Sequence, residues 1–327
     1  MQRTRKPKYP GKNILMDHAI EPLVEHLITK KWVRKRLNSA KLPGFDVVSP
    51  IVELLRKNPN DIYEVGELLA DEDQHISSQM VSIFSTAAIH SECREQVLSF
   101  LLQKLKDDNP KFRINSLFVF GNIVLHGVNI APAIPEITDR LKDPNYEIRR
   151  AAGETLLGAL EKIDISIAVP NLTKSLEDVY DKVRDIAATT LYHAARKGVD
   201  ISIAVSNLTK NLESHDQSVR IQSTLALGEV AKHGADISQA VPNLVKFLSD
   251  SEQAVRVSIF ALIECIKTAN INTLELITKE VTEFIGSDWY HSQGELNTES
   301  YVRAVDAVAT IMDVVRSRMN KEEREAA

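Results

Sequence analysis

Apolar and polar positions along this chain alternate at helical spacing, in stripes that come in pairs. Between residues 164 and 196 the first stripe is Ile167, Val169, Leu172 and Leu176, with Pro170 near enough to its start to be tolerated. The second stripe, beyond a short polar turn, is Val183, Ala187, Leu191 and Ala194, and it returns as Val219, Ser223, Leu227 and Val230. Asp143, Asp178 and Asp250 stand in such turns, two residues past a Leu and six before an Arg, which predicts a carboxylate cap on the second helix. Asp143-Pro144 reads as that cap followed by a first-turn proline. Ala152, Ala187 and Ser223 share one offset, and their small size predicts close approach of adjacent helices.

The paired stripes are copies of one unit. Three segments open with Asp164-Ile-Ser-Ile-Ala-Val-Pro, Asp200-Ile-Ser-Ile-Ala-Val-Ser and Asp236-Ile-Ser-Gln-Ala-Val-Pro, spaced by 36 and 36. A Leu recurs at Leu105, Leu141, Leu176, Leu212 and Leu248, always 35 or 36 residues apart. An apolar-Arg pair keeps the same intervals at Phe112-Arg113, Ile148-Arg149, Val183-Arg184, Val219-Arg220 and Val255-Arg256. A single unit is not stable alone, because about eight buried side chains at roughly 1.5–3 kcal/mol each cannot offset about 1.5 kcal/mol for every ordered residue. Stacked units bury one another's apolar faces. The predicted fold is therefore an all-α superhelix, a right-handed solenoid of about seven helix pairs with its second helices on the concave side.

The string Leu-x-Asp-x4-Val-Arg-x2-Ala-Ala-x-x-Leu, carried by Leu176, Asp178, Val183, Arg184, Ala187, Ala188 and Leu191, resembles HEAT repeats. It is most similar to the short HEAT-like type first named for phycobilin lyases. The clear resemblance covers five repeats in residues 94–270. Residues 1–44 form a basic tail and helix, and residues 45–93 hold degenerate helices and a weaker first unit, with Leu69, Asp71 and Ile76 in register but Ser77 where Arg is expected. Residues 271–327 read as a capping repeat in which Phe284, Val302 and Arg303 continue the pattern. Arg256 to Arg303 is 47 residues, so 47 − 36 = 11 extra residues lie between that unit's helices, within 286–298. In the family the Asp and Arg positions form a ladder between repeats. The resemblance implies that structural role, and no catalytic one, for Asp107, Arg113, Asp143, Arg149, Asp178, Arg184, Arg220, Asp250, Arg256 and Arg303.

Three surfaces are candidates for partner contact. If the second helices bury the offsets of Val183, Ala187, Leu191 and Ala194, the concave face holds the offsets two, three, six and ten after the Val. These are Ile114, Asn115, Phe118 and Asn122 in one unit, Arg150, Glu154 and Gly158 in the next, and Asp185, Thr189 and His193 in the third. Ile221, Gln222, Leu225 and Glu229 follow, and then Val257, Ser258 and Cys265. Ile114, Phe118, Ile221, Leu225 and Val257 are apolar enough to mark a contact surface, unless tight curvature buries them against each other. The second candidate is the basic cluster Lys30, Lys31, Trp32, Arg34, Lys35 and Arg36, suited to an acidic partner, a nucleic acid or an anionic lipid surface, or else a plain solvated helix. The third is the insertion, where Trp289, Tyr290 and His291 are either aromatic anchors or a lid on the end of the stack.

Charge and composition narrow the reading further. The net charge is −5, but residues 1–44 hold eleven Lys or Arg against three acids, which is +8, so residues 45–327 carry −5 − 8 = −13. An acidic body makes nucleic acid an unfavoured partner and argues against the DNA-glycosylase version of this fold, which needs a basic groove. Apolar runs such as Leu156 to Leu160 are far shorter than the roughly 18 to 20 residues that span a bilayer. The basic, polar N-terminus lacks the apolar stretch of a secretory signal, so a cytoplasmic location is expected. Cys93 and Cys265 have no Cys-x-x-Cys partner and read as core thiols in a reducing compartment. No His-x-x-x-His, His-Glu-x-x-His, Gly-x-Ser-x-Gly or phosphate-loop motif occurs, and the His-Glu dipeptides of the two-iron HEAT-fold hydroxylases are missing. These observations favour a non-catalytic scaffold or adaptor that needs no cofactor and holds a protein partner. A lyase or chaperone-like factor resembling the bilin lyases, and a polyanion binder acting through the basic head, are the alternatives.

Overall fold

The computed structural model describes residues 30–39, 48–90, 92–249, 251–288, 291 and 299–326. Every regular element among them is helical. After α1 (Lys30–Ser39) and α2 (Val48–Lys57), the described residues form seven helix pairs. The first helices are α3 (Ile62–Val65), α5 (Arg94–Lys104), α7 (Ile134–Asp139), α9 (Val169–Ser175), α11 (Val205–Asn211), α13 (Val241–Lys246) and α15 (Ile271–Ile285). The second helices are α4 (Gln74–His90), α6 (Pro110–Leu125), α8 (Tyr146–Ala159), α10 (Asp181–Arg196), α12 (Gln217–Lys232), α14 (Glu252–Thr268) and α16 (Glu299–Ala326). Consecutive second helices pack on one another from α4 to α16, and from α5 onward each first helix packs against its own second helix, while in the first pair the 3-10 segment Gly66–Ala70 after α3 makes that contact, so the core is a continuous seam between two rows. This is the expected all-α repeat solenoid.

The Asp-Ile-Ser opening sets how each unit begins. The carboxylates of Asp164, Asp200 and Asp236 accept the N–H of Ser166, Ser202 and Ser238, each at 2.8 Å, and start a 3-10 turn. Those backbone hydrogen bonds hold the carboxyls of Asp164 and Asp200 below the ordinary range. A 3-10 turn repeats every three residues, so Ile165 and Ala168 share the buried side while Ile167 is 58% exposed. The sequence-based placement of Ile167 in the apolar stripe is thereby corrected, and Ile203, 60% exposed, repeats the effect. Pro170 then falls in the first turn of α9, where its missing N–H is no loss.

The turn between paired helices also differs from expectation. Asp143 does not cap α8; Asn145 does, its Oδ1 accepting the Glu147 N–H at 2.8 Å, and Pro144 lies in the turn ahead of the helix. Asn109 and Asp216 cap α6 and α12 in the same way. Asp143 is held by Arg113 of the preceding unit, Nε to Oδ2 at 2.8 Å and Nη2 to Oδ1 at 3.2 Å. Arg149 repeats this on Asp178 at 2.6 and 3.0 Å. A two-pronged guanidinium–carboxylate bond is stronger than a cap and spans two units, which is why the Asp serves as a rung. The ladder is not uniform. Where Ser77 replaces the Arg, Lys104 closes on Asp107 at 3.2 Å and on Glu67 at 2.7 Å. Arg220 donates to the carbonyls of Ser214 and His215, Arg256 is exposed, Arg303 is half-buried, and Asp250 lies outside the described residues.

Three second helices end on glycine. Gly127, Gly198 and Gly234 have φ of 83°, 84° and 89°, a left-handed conformation only glycine adopts without strain. The next residue's N–H returns to the helix in each case, Val128 to the Ile123 carbonyl, Val199 to Ala194 and Ala235 to Val230. At the C-terminal end, α16 buries Ala304, Ala307, Val308, Ile311 and Val315. Val302 is 47% exposed, so the continuation of the repeat pattern at Val302-Arg303 does not mark that helix's core position. Trp289 and Tyr290 lie outside the described residues; His291 is exposed and its N–H donates to the Ser287 carbonyl at 3.2 Å.

Candidate protein-binding face

The outward face of the second-helix layer opens into a slot between α6 and α8. Leu117, Phe118, Gly121, Asn122 and Leu125 line it from α6, and Ala151, Glu154, Thr155 and Gly158 from α8, around a volume of about 190 Å³. Phe118 is 37% exposed and Leu125 71%, an uneconomical arrangement for an unpartnered helix face. The slot exists because its floor is glycine. A Cβ built on Gly121 meets only Thr155 Oγ1 at 3.6 Å, and one on Gly158 meets Val124 at 3.4 Å and Leu125 at 3.6 Å, so both positions have room that they leave empty. Hydroxyl struts keep the walls in place: Thr155 donates to the Ala151 and Leu117 carbonyls, and Asn122 Nδ2 donates to Ser85 Oγ at 3.2 Å. Arg150 pairs with Glu154 one turn along α8 and leaves that carboxylate at the rim.

The other expected face residues divide into two groups. Ile114 and Asn115 are half-buried, and the Asn115 amide is spent on the Leu69 carbonyl. On α10, Asp185, Thr189 and His193 are half-buried. Burial lifts the Asp185 carboxyl above its ordinary range, with Lys182 opposing the shift and Asp216 adding to it. Burial, aided by Arg196, lowers the His193 imidazole, so His193 is neutral at pH 7. Beyond α10 the expectation fails. Ile221, Glu229, Val257, Ser258 and Cys265 are buried, and Leu225 and Gln222 are half-buried. The cause is close packing of neighbouring helices: Gly228 on α12 has the Phe260 ring of α14 where its Cβ would stand, and such contact covers flank positions that a lone helix would leave open. Burial also pushes the Cys265 thiol up to about 12, and Cys93 is buried too, so both are unreactive packing groups.

Helix α1, which carries the basic cluster, is docked on the solenoid. Val33 and Leu37 are fully buried, Arg34 forks onto Asp71 with both contacts at 3.2 Å, and the Lys30 N–H donates to Glu64 at 3.0 Å. Arg36 lies over the Trp32 ring, 5.1 Å from its centroid. Lys31 and Lys35 are exposed on the outer side of the helix. Sequence reasoning missed a second ladder, in which Asn171 and Asn207 donate to the Thr138 and Thr173 carbonyls of the preceding first helix, and Asn243 donates to Glu213. Its signal was present as one Asn every 36 residues. Among the described residues no group of His, Cys, Asp or Glu could hold a metal ion, and no helix is long and apolar enough to cross a membrane.

Residues 98–192 match the family of HEAT repeats. The match reaches HEAT repeats as a class, and closeness to the phycobilin-lyase type is not part of it. No curated protein sequence matches the chain. Solved structures similar to it include an engineered protein, 16% identical with a TM-score of 0.53 over 88% of this chain and 78% of that one. A designed armadillo repeat protein in complex with the peptide (KR)4 is 18% identical, with a TM-score of 0.51 over 65% of this chain and 99% of that one. Armadillo repeat proteins computationally designed for modular peptide recognition are 19% identical, with a TM-score of 0.50 over 62% and 99%. At these identities the likeness shows a shared helical repeat fold.

Proposed function

We propose that this chain is a non-catalytic scaffold that holds a partner's helix or extended segment across its second-helix layer, seated on the slot between α6 and α8. The observation that carries this reading is the exposed pair Phe118 and Leu125 over a glycine floor. An apolar anchor entering such a slot displaces water from both walls, and contact energy at protein interfaces concentrates at sites of this kind. Glu154 at the rim is paired with Arg150, and it is the −13 carried by the chain from residue 45 onward that favours a partner segment with Lys or Arg beside its anchor. One similar structure is a designed armadillo repeat protein in complex with the peptide (KR)4, which supports peptide holding by a helical repeat fold of this kind. The N-terminal helix is the weaker seat, because Arg34 is already occupied by Asp71.

The test is a displayed-peptide selection on the full chain, run in parallel on Phe118→Asp. Wild type enriches segments that pair an aromatic or aliphatic residue with Lys or Arg, and Phe118→Asp loses them while helicity and melting stay the same. Identical enrichment on both proteins removes the slot as the binding seat.

A further inference from the structure

The ladder has a vacancy at its fourth rung. Arg113 and Arg149 hold the same pose: Nη1 bonds carbonyls of its own turn, and Nε with Nη2 forks onto the Asp of the next unit. Arg184 keeps the first half of this pose, its Nη1 at 2.7 Å from the Asp178 carbonyl. The position that follows Asp178 by 36 residues is Ser214, whose Oγ is 3.3 Å from Arg184 Nη2. Ser214 still orders the turn, since Oγ accepts the Asp216 N–H at 3.2 Å just as Asp143 and Asp178 accept from Asn145 and Tyr180. Its single uncharged oxygen meets only Nη2, so the two-pronged fork that Asp143 and Asp178 complete is not formed here. Arg184 Nε is consequently buried with no hydrogen-bond partner. A cleft of about 260 Å³ opens at this point, and Asn211, only 7% exposed, lines it with its Nδ2 also unpartnered.

The neighbouring charges are accounted for. Asp181, on the exposed side of α10, takes Arg184 Nη2 and leaves Nε alone. Glu177 pairs with Lys210 at 3.4 Å, and Glu213 accepts from Asn243 at 3.4 Å. The cleft is lined by the donors Arg184 Nε–H, the Asn211 amide, the Ser214 hydroxyl and Lys210, and by the carboxylates of Glu177 and Glu213, which already accept from Lys210 and Asn243. Buried donors left without acceptors are rare in folded proteins and mark places where an acceptor is missing. We propose that this cleft is a carboxylate-binding site, in which an external carboxylate supplies the rung that Ser214 omits. The ligand is either a small organic acid or an acidic side chain of a protein. The site lies on the inter-helix turns, apart from the slot between α6 and α8, and does not depend on it.

The experiment titrates the full, arginine-labelled chain with sodium acetate, and separately with acetyl-Gly-Asp-Gly-amide, at constant ionic strength. The Nε–H resonance of Arg184, identified by its loss in Arg184→Lys, is followed beside those of Arg113 and Arg149. Expected is a saturable shift at Arg184 only, and in Ser214→Asp a resonance already displaced that no longer responds. Half-saturation by the peptide at tenfold lower concentration than acetate assigns the site to acidic side chains, and equal or weaker binding assigns it to a small acid. No saturable shift with either probe, an equal shift at Arg149, or an unchanged response in Ser214→Asp overturns the proposal. A shift with inorganic phosphate but not acetate overturns the carboxylate assignment.

Discussion

The stretch from α5 to α8 and the stretch from α11 to α14 are built on one repeat pattern and present opposite surfaces. In the first, the rungs Arg113–Asp143 and Arg149–Asp178 are closed, and the second-helix face stands open at Phe118, Gly121, Leu125 and Gly158. In the second, the rung at residue 214 is a single bond from Arg184 to the Ser214 hydroxyl with no carboxylate fork, and the face is sealed where Phe260 lies on Gly228. A glycine opens a slot in one place and admits a ring in the other. What separates the two is the neighbour across the groove, Thr155 beside Gly121 and Phe260 beside Gly228. Surface character in this array is thus set by pairs of residues one unit apart, on a backbone that hardly changes.

Breaking a closed rung should have the largest effect. Asp143→Ala leaves Arg113 charged and largely buried without its carboxylate, a defect that costs about 3–5 kcal/mol, read as a lower urea midpoint. Asp178→Ala should cost less, because that pair is more open to solvent. The two glycines should then respond with opposite signs. Gly228→Ala drives a methyl into the Phe260 ring and loses roughly 1–3 kcal/mol. Gly121→Ala meets only ordinary contact and gains up to about 1 kcal/mol from helix propensity. Equal effects at both positions would erase the distinction drawn between the two stretches.

The smallest effect concerns α10, which lies between them. Burial lowers the His193 pKa in the folded state, so the native protein takes up that proton less readily than the unfolded chain does. Its contribution is fully present above the unfolded value of about 6.5 and is lost as pH falls below it toward the folded value. The melting temperature of wild type should therefore fall more than that of His193→Gln as the pH is taken from about 7.5 to about 5.5. Parallel curves for the two proteins would show that the ring is as free to protonate in the fold as outside it.

The architecture was legible because a stacked array must return the same side chains to the same seam, and Asp164, Asp200 and Asp236 or Arg113, Arg149 and Arg184 show that return directly. What stayed hidden depends on geometry inside the unit. Ile167 reads as a core residue until the 3-10 turn rotates it outward, and Asp143 reads as a cap until the guanidinium of another unit is seen on it. The candidate slot was legible in part. Phe118, Asn122, Glu154 and Gly158 were found by offset alone, whereas Leu125 sits outside those offsets and was not. Ile221 and Val257 have the right offset and the wrong neighbours, and a single helical stripe carries no information about the helix across from it.

The glycine-closed helix ends followed by an Asx turn make the joints between units interchangeable. Excising residues 200–235 would join Val199 to Asp236, in the phase in which it now meets Asp200, and would bring residue 250, an aspartate, to the level of Arg184. The span of this molecule is consequently quantised: it can be lengthened or shortened by whole repeats of 35 or 36 residues, while a cut that does not match a repeat throws every later side chain out of phase.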